Sequence, residues 1–532
     1  MNDQPVLISG AGPTGLVLAL WLTRLGVKVR IIDQTAEAGT TSRALALQAR
    51  TLEFYEQAGF AQQVVDAGVK VAAVNMWTRG VRAARVPLTD IGKGLTPFAF
   101  ALVYPQDAHE RLLIEQLQSL GVQVERRTKL HRFEQTVDGI SASLQLPDGS
   151  EQSCQASYIA GCDGAHSTVR EVLGIGFPGG TYTGLFYVAD VQASGPVTDY
   201  ELHLDLDGAD LLIVFPLKQK GSIRLVGDIH DEPMGEKREL TFDDVSKRAI
   251  EHMKLKIEKV NWFSTYRVHH RVANQFRSGR AFLLGDAAHI HSPVGGQGMN
   301  TGIGDSINLA WKLAAVLKQN ADPTLLDSFE IERIAFARRL VATTDRIFTF
   351  VTRQGRCAEF VRTRIFPRFA AASFKLAPLR ELLFRTVSQT NINYRHGPLS
   401  EGIAGSVHGG DRLPWVVTDA GSDNFAPLRS FAWQVHVYGE PHPGIADTCA
   451  ELSLPLHVFP WQSNMHAVGL KRSATYLIRP DGYVALADPR GDPKRLGEYV
   501  RTKPVVADSR AIRPTRDTSH QTAFDTQTFP RV

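Results

Sequence analysis

Apolar residues near the N-terminus run in two rhythms. Val6-Leu-Ile-Ser9 is a short β-rich run, Leu16 to Leu22 is an almost unbroken apolar stretch closing at Gly26, and Val27 to Ile32 is a second short run ending at Asp33. Strand, helix, strand is the unit this pattern predicts, with Gly26 as the helix C-cap. A further strand spans Val122 to Arg126, and another starts at Tyr158 and ends in Asp163-Gly164. A third crossing passes from an apolar run through Gly285-Asp286 into an apolar-periodic helix that begins near Ile303. Leu202 to Leu206, Leu211 to Leu217 and Ser222 to Ile229 read as alternating strands separated by turn residues. From Leu325 to about Phe350 the chain is helical; Asp327, Glu330, Glu332, Arg333, Arg338 and Arg339 read as a solvated face with i,i+4 pairs. Beyond Gly402 a new unit opens, with strands near Gln434 to Tyr438 and Leu456 to Phe459 and a turn at Arg479-Pro-Asp-Gly-Tyr483 between two more strands. The last stretch, Asp508 to Val532, is polar and weakly patterned.

Composition narrows the classes. A chain of 532 residues, 43% hydrophobic, is too long for one core, and two to four units are expected. The net charge of +4 is spread over interleaved acids and bases, without the basic footprint of a nucleic-acid binder. Cys154, Cys162, Cys357 and Cys449 are scattered, with no CxxC and no metal spacing, which fits a reducing cytosol and no structural zinc. The N-terminus lacks a basic n-region and a cleavage site, and the longest helical apolar stretch, Ile307 to Leu317, is too short for a bilayer. A soluble cytoplasmic protein without nucleic-acid or membrane partners is the expectation.

Candidate chemistry begins at Gly10-Ala-Gly12-Pro13-Thr14-Gly15, which lies between a strand and a helix and is followed by Asp33 at the end of the next strand. Gly10 permits the tight turn, Gly12 lets backbone approach a pyrophosphate, and Gly15 lets the helix sit close on the strand. Asp33 accepts from a ribose hydroxyl, and the helix N-terminus offers N–H donors to the anion. The fingerprint does not separate FAD from NAD, since both carry an ADP moiety. A single dinucleotide site would not need the two further crossings at Asp163-Gly164 and Gly285-Asp286.

In that order and spacing the three motifs resemble the class A flavoprotein monooxygenases, the aromatic hydroxylases similar to para-hydroxybenzoate and phenol hydroxylases. Ser42-Arg43-Ala44, Arg50-Thr51-Leu52-Glu53, Pro105-Gln106, Glu110, and Trp262 through His289 carry the same resemblance, which covers essentially the whole chain. It implies an α/β fold: a Rossmann-like FAD domain of glutathione-reductase type from 1–75, 101–180 and 271–330, and an inserted β-sheet substrate domain from 76–100 and 181–270. A helical connection over 331–400 and a thioredoxin-like unit with tail over 401–532 complete it; with lone Cys449, thiol-disulfide chemistry is not expected there.

The resemblance also implies bound FAD, transient NADPH or NADH, O2, and a small phenolic or polycyclic aromatic substrate hydroxylated by way of a flavin C4a-hydroperoxide; a homodimer is compatible with it. Asp286 would accept from the ribityl chain, Asp163 would stand at the mouth where reduced nicotinamide approaches, Gln106 and Arg43 would contact the diphosphate or ribityl region, and the Leu130 backbone would meet the adenine. The backbone carbonyl of Pro293 would lie over the oxygen-reaction site; Pro293 and Arg43 are the two candidate catalytic residues. The loop from Pro293 through Gly295, Gly296, Gly298 and Met299 to Asn300 would pass along the flat ring, with a helix N-terminus favouring the negative charge of the reduced ring. His289 and His291 read as loop scaffolding, and His269 and His270 as strand neighbours pointing to opposite faces, so no metal site is expected. Tyr182 and His203 fall in the segment expected to wall the substrate pocket and read as packing. Other outcomes on the same cofactor (epoxidation, ring cleavage, antibiotic inactivation), and a non-catalytic FAD-binding redox sensor, stay open.

Overall fold

The computed structural model describes residues 4–39, 44–89, 91–207, 211–229, 240–292, 294–352, 355, 359–418 and 421–503. Arg43, Pro293, Cys357 and the stretch from Asp508 onward lie outside them.

A six-stranded sheet carries the cofactor-domain pattern, in the spatial order Arg277–Ser278, Ala281–Leu283, Tyr158–Gly161, Val6–Ser9, Val29–Asp33, Val124–Arg126. All pairs are parallel except the first. Val6–Ser9 and Tyr158–Gly161 are fully buried, as strands covered on both faces should be. Because the chain winds away from Val6–Ser9 in both directions, the strand order reverses there, and in open α/β sheets ligands bind outside the carboxyl ends at such a switch point. Helices Pro13–Arg24 and Gly298–Lys318 pack together on this sheet, tied by the Ser306 hydroxyl donating to the Thr14 carbonyl at 2.7 Å.

The alternating segments form an eight-stranded sheet. Its order is His289–Ile290, Lys256–Val272, Gly179–Ser194, Ser222–Ile229, Leu212–Pro216, Leu202–Asp205, Ala73–Thr78, Val81–Pro87. All neighbours are antiparallel except Leu202–Asp205 against Ala73–Thr78. The two longest strands bend through three register shifts, so the sheet curves as it leaves the cofactor domain. Since His289–Ile290 is its edge strand, the sheet starts where the third crossing ends.

The last unit has a mixed sheet ordered Val407–His408, Glu401–Ala404, Val484–Asp488, Thr475–Ile478, Gln434–Tyr438, Leu456–Phe459. Gln434–Tyr438 and Leu456–Phe459 are parallel, joined through helix Ile445–Glu451, while Thr475–Ile478 and Val484–Asp488 form an antiparallel pair. Its core is continuous with the cofactor domain: Trp311, Ala315 and Leu325 pack with Trp433, Val435, Leu477 and Leu496. Among the described residues no helix is long and apolar enough to cross a membrane.

Candidate functional site

The three crossings meet at the switch point. Ser9 pairs with Gly161 on one side and Ile32 on the other, and Gly161 with Leu283. The loops that follow these strands therefore start side by side. A side chain at Gly10, where φ is +102°, would collide with the Cys162 carbonyl, and one at Gly15 with the Gly10 carbonyl. These contacts require glycine. Gly12 differs: nothing lies within 4 Å of where its Cβ would be, so its glycine leaves open space rather than relieving a protein contact. It is the N-cap of helix Pro13–Arg24, which has Pro at its start, no side-chain cap and no acid in its first turn. Unsatisfied N–H groups at a helix N-terminus bind anions.

Asp33 closes one end of this cradle. Its Oδ2 accepts from the Ala11 N–H at 2.7 Å and its Oδ1 from Thr35 N and Oγ1 at 2.8 and 2.6 Å, fixing the carboxylate beside the turn. The adjoining segment is tied in through Thr128 N to the Asp33 carbonyl at 3.0 Å, two residues before the buried Leu130. On the other side, Asp163 Oδ2 accepts from Val169 N at 3.2 Å, while its buried Oδ1 has no partner among the described residues. Burial raises its pKa, opposed by hydrogen bonds from Ser167 and Val169. Gly164 follows with φ +77°, and the Ser167 hydroxyl caps helix Thr168–Val172 by accepting from Arg170 N at 3.0 Å.

In the third crossing Gly285 (φ +57°) packs against Thr14, and Asp286 stands exposed at the rim. The helix after it begins at Gly298 rather than near Ile303, because its first turn is polar and apolar periodicity cannot register it. Gly298, Met299 and Asn300 therefore lie in that turn. Asn300 donates to Ala46 O and Gly296 O, both at 2.8 Å, and accepts from Gln48 N at 2.9 Å and Thr51 Oγ1 at 2.7 Å. Gln48 in turn donates to Gly295 O at 2.9 Å. Gly296 (φ +61°) touches Ala46. The loop is thus pinned by Asn300 and Gln48.

Gln106 accepts from Ala44 N at 3.3 Å and donates to Glu110 at 2.8 Å, and Glu110 accepts from Gly39 N at 2.8 Å. The pair holds the residues flanking 40–43. His289 bonds Asp305 at 2.7 Å, and His291 accompanies the Ser292 carbonyl at 2.7 Å with its pKa lowered to about 4 by burial. His269 meets Thr181 Oγ1 at 2.7 Å, whereas His270 lies against the Tyr182 ring. Tyr182 donates to Asp345, and His203 bridges Trp77 Nε1 and Asp199. Each is engaged as a neighbour's partner.

Residues 3–344 match the family model described as FAD binding domain. The chain is 31% identical over 502 residues to a flavin-dependent monooxygenase of Mycobacteroides abscessus, covering 91% of this chain and 97% of the relative. The chain belongs to the flavin-dependent monooxygenases. It is also 31% identical over 524 residues to 6-methylpretetramide 4-monooxygenase of Streptomyces rimosus, covering 93% and 92% of the two chains. Among solved structures it resembles anhydrotetracycline hydroxylase from Streptomyces rimosus, with TM-score 0.74, 27% identity and coverage of 94% and 98%. The mixed α/β fold matches that of aromatic hydroxylases.

One expectation about the monooxygenase is overturned. Glu332 and Arg333 are not part of a solvated helix face: they are 4% and 1% exposed. Arg333 donates to Asp305 at 2.6 Å, Thr301 O at 3.0 Å and Tyr394 OH at 2.9 Å. Asp305 also accepts from Gly285 N at 3.0 Å and contacts His289, so this ion pair braces the third crossing. Glu332 binds Lys312 at 2.9 Å, Asn308 at 2.7 Å and Arg479 at 2.7 and 3.1 Å. Arg479 also pairs with Asp481, whose Oδ2 accepts from Trp311 Nε1 at 3.1 Å. The Arg479-Pro-Asp-Gly turn does join two strands, but it is buried against helix Gly298–Lys318. A second bridge runs from Glu53 to Arg50 at 2.8 Å and to Arg412. Burial alone would raise the Glu332 carboxyl, yet Arg479 and Lys312 outweigh it and hold it at about 2; burial lowers Lys312 to about 8. Charged residues at apolar-spaced positions were the only sequence signal, and their partners are far away in the chain.

Proposed function

We propose that this monooxygenase uses FAD, NAD(P)H and O2 to hydroxylate a phenolic or fused-ring polycyclic aromatic substrate. The observation that carries the reading is the convergence of three strand-to-helix crossings on one cradle at the switch point, the third running on into the edge of a curved, largely antiparallel sheet. The residues fit FAD on features of this structure: open space at Gly12, a helix N-terminus without a side-chain cap, and a buried Asp163 oxygen with no partner among the described residues. Gly10, Gly12, Pro13, Thr14 and Gly15 would hold the pyrophosphate by backbone N–H groups, Asp33 the ribose and the Leu130 region the adenine. Gln106 and Arg43 would serve the diphosphate side and Asp163-Gly164 the cofactor mouth. Gly285-Asp286 would take the ribityl chain, and Pro293, Gly296, Gly298, Met299 and Asn300 the ring. When bound, the flavin supplies oxygen activation after reduction by the nicotinamide.

The protein's share is orientation, a helix N-terminus near Gly298 that favours negative charge on its ligand, and exclusion of water. The ring pair Phe186–Tyr266, 6.0 Å between centroids, offers an aromatic wall for the substrate. The relatives named for 6-methylpretetramide and anhydrotetracycline support a fused-ring class. We also read the last unit as thioredoxin-like on its parallel pair, antiparallel pair and flanking helices, acting as a brace rather than a redox module; Cys449 is buried and its thiol pKa is raised to about 11 by burial. The test is a screen of phenols and fused-ring aromatics for stimulated NAD(P)H oxidation, with peroxide and product mass measured. A true substrate stimulates turnover, gains one oxygen atom and releases little peroxide. Stimulation by none, or only stoichiometric peroxide, contradicts the reading.

A further inference from the structure

The helical connection between the cofactor domain and the last unit has one face that meets no partner among the described residues. Phe366, Ala370 and Phe374 pack inward on Met76, Val86 and Leu206 of the eight-stranded sheet, and Phe384 packs inward beside Gly92. A second face carries an apolar stripe: Ile365, Phe369 and Ala372, at spacings of four and three where the helical turn Val361–Ile365 runs on into helix Phe366–Ser373, and then Leu376 in the turn that precedes helix Ala377–Val387. Ile365, Phe369 and Leu376 are 48%, 65% and 61% exposed, and Leu382 on the next helix, Ala377–Val387, is 54% exposed. Isolated exposed apolar residues are ordinary, whereas an aligned set of large ones is not.

Cations accompany the stripe. Arg364, Arg368 and Lys375 each precede one of its apolar members by a single position and are exposed, and none forms an ion pair among the described residues. Between 364 and 385 the sequence has five cations, adding Arg380 and Arg385, against the single acid Glu381. The neighbouring Glu359 is turned to Arg79 at 3.6 Å. The chain's overall charge balance conceals this local excess.

We propose that this face docks the enzyme on an anionic lipid surface. The stripe supplies apolar side chains that enter the headgroup boundary, and the adjacent arginine and lysine side chains extend past them to phosphate, the pattern of interfacial amphipathic helices that lie on a bilayer without crossing it. A second copy of the chain fits less well, because a two-fold interface would set the same cations opposite one another. The proposal revises the expectation of no membrane partner and does not depend on which substrate is hydroxylated.

The experiment is co-sedimentation of the FAD-loaded enzyme with phosphatidylcholine vesicles, with and without phosphatidylglycerol, at low and high salt. Binding is expected only to the anionic vesicles and should weaken at high salt. The double substitutions Phe369→Ser with Leu376→Ser and Arg364→Glu with Arg368→Glu should each weaken it by about ten-fold or more while FAD content stays unchanged. Absence of binding to anionic vesicles, or binding unaffected by both double substitutions, overturns the proposal. So does a holoenzyme of twice the chain mass that Phe369→Ser reduces to one, which would assign the face to a second copy.

Discussion

The glycine cradle at Gly10–Gly15 and the buried ion cluster around Glu332 both border helix Gly298–Lys318, and they treat polar groups in opposite ways. In the cluster the carboxylates are matched: Glu332 with Lys312 and Arg479, Asp481 with Arg479, and Asp305 with Arg333 and, by a hydrogen bond, His289. At the cradle the helix N-terminus has no side-chain cap, one Asp163 oxygen has no partner among the described residues, and Gly12 faces open space. Burying polar groups without partners is costly, so a fold closes such networks unless a ligand completes them. The closed cluster is a brace, and the open cradle is the proposed cofactor site.

The contrast can be broken first at the cluster. Glu332→Ala leaves Lys312 and Arg479 buried with less compensation, and the chain should lose about 3–5 kcal/mol of stability in urea unfolding. A loss below 1 kcal/mol would mean the network is not closed in solution. At the cradle the largest effect on the ligand should come from Asp33→Ala, which removes a charged acceptor worth about 1.5–3 kcal/mol, so FAD affinity falls by about ten- to a hundred-fold in fluorescence titration. Stability of the FAD-free chain should fall less than in Glu332→Ala.

Acid separates the contributions by pH. His109, His291 and His436 are held neutral by burial, with pKa values lowered to about 3, 4 and 3 from an ordinary 6.5. Their folded pKa values lie below the unfolded ones, so the stability they contribute is present above 6.5 and is lost as pH falls toward those lower values. Glu332, lowered to about 2 from 4.5, adds a loss that begins only below 4.5. Urea midpoints should therefore decline in two stages between neutral pH and 3, and Glu332→Gln should flatten the second stage alone. A midpoint constant down to pH 4 would contradict the burial of these histidines.

The cradle was legible because its signals are local. Glycines at fixed spacing, the acid at the end of the next strand and a helix directly after the turn sit within about thirty residues, as a dinucleotide unit requires. The two later crossings repeat strand-turn-helix around Asp163 and Asp286, and parallel pairing brings them together. Apolar periodicity does not mark the start of helix Gly298–Lys318, because Gly298, Asn300 and Thr301 carry no apolar period. The cluster was not legible: Glu332 and Arg479 are 147 positions apart, and an acid beside a base on a helix looks the same whether it faces water or a second core. Nothing in Arg479-Pro-Asp-Gly says that the turn is buried rather than exposed.

The most direct measurement of the central claim uses Gly12→Ala. The added methyl meets no protein atom within 4 Å, so the FAD-free chain should unfold within about 1 kcal/mol of the parent, as expected for a helix N-cap change. It would, however, occupy the space where the backbone approaches the pyrophosphate, and FAD bound per chain after gentle purification should fall sharply. Reduced FAD content with unchanged FAD-free stability is the predicted result. Full retention of FAD by Gly12→Ala would show that the cofactor is not held at this turn.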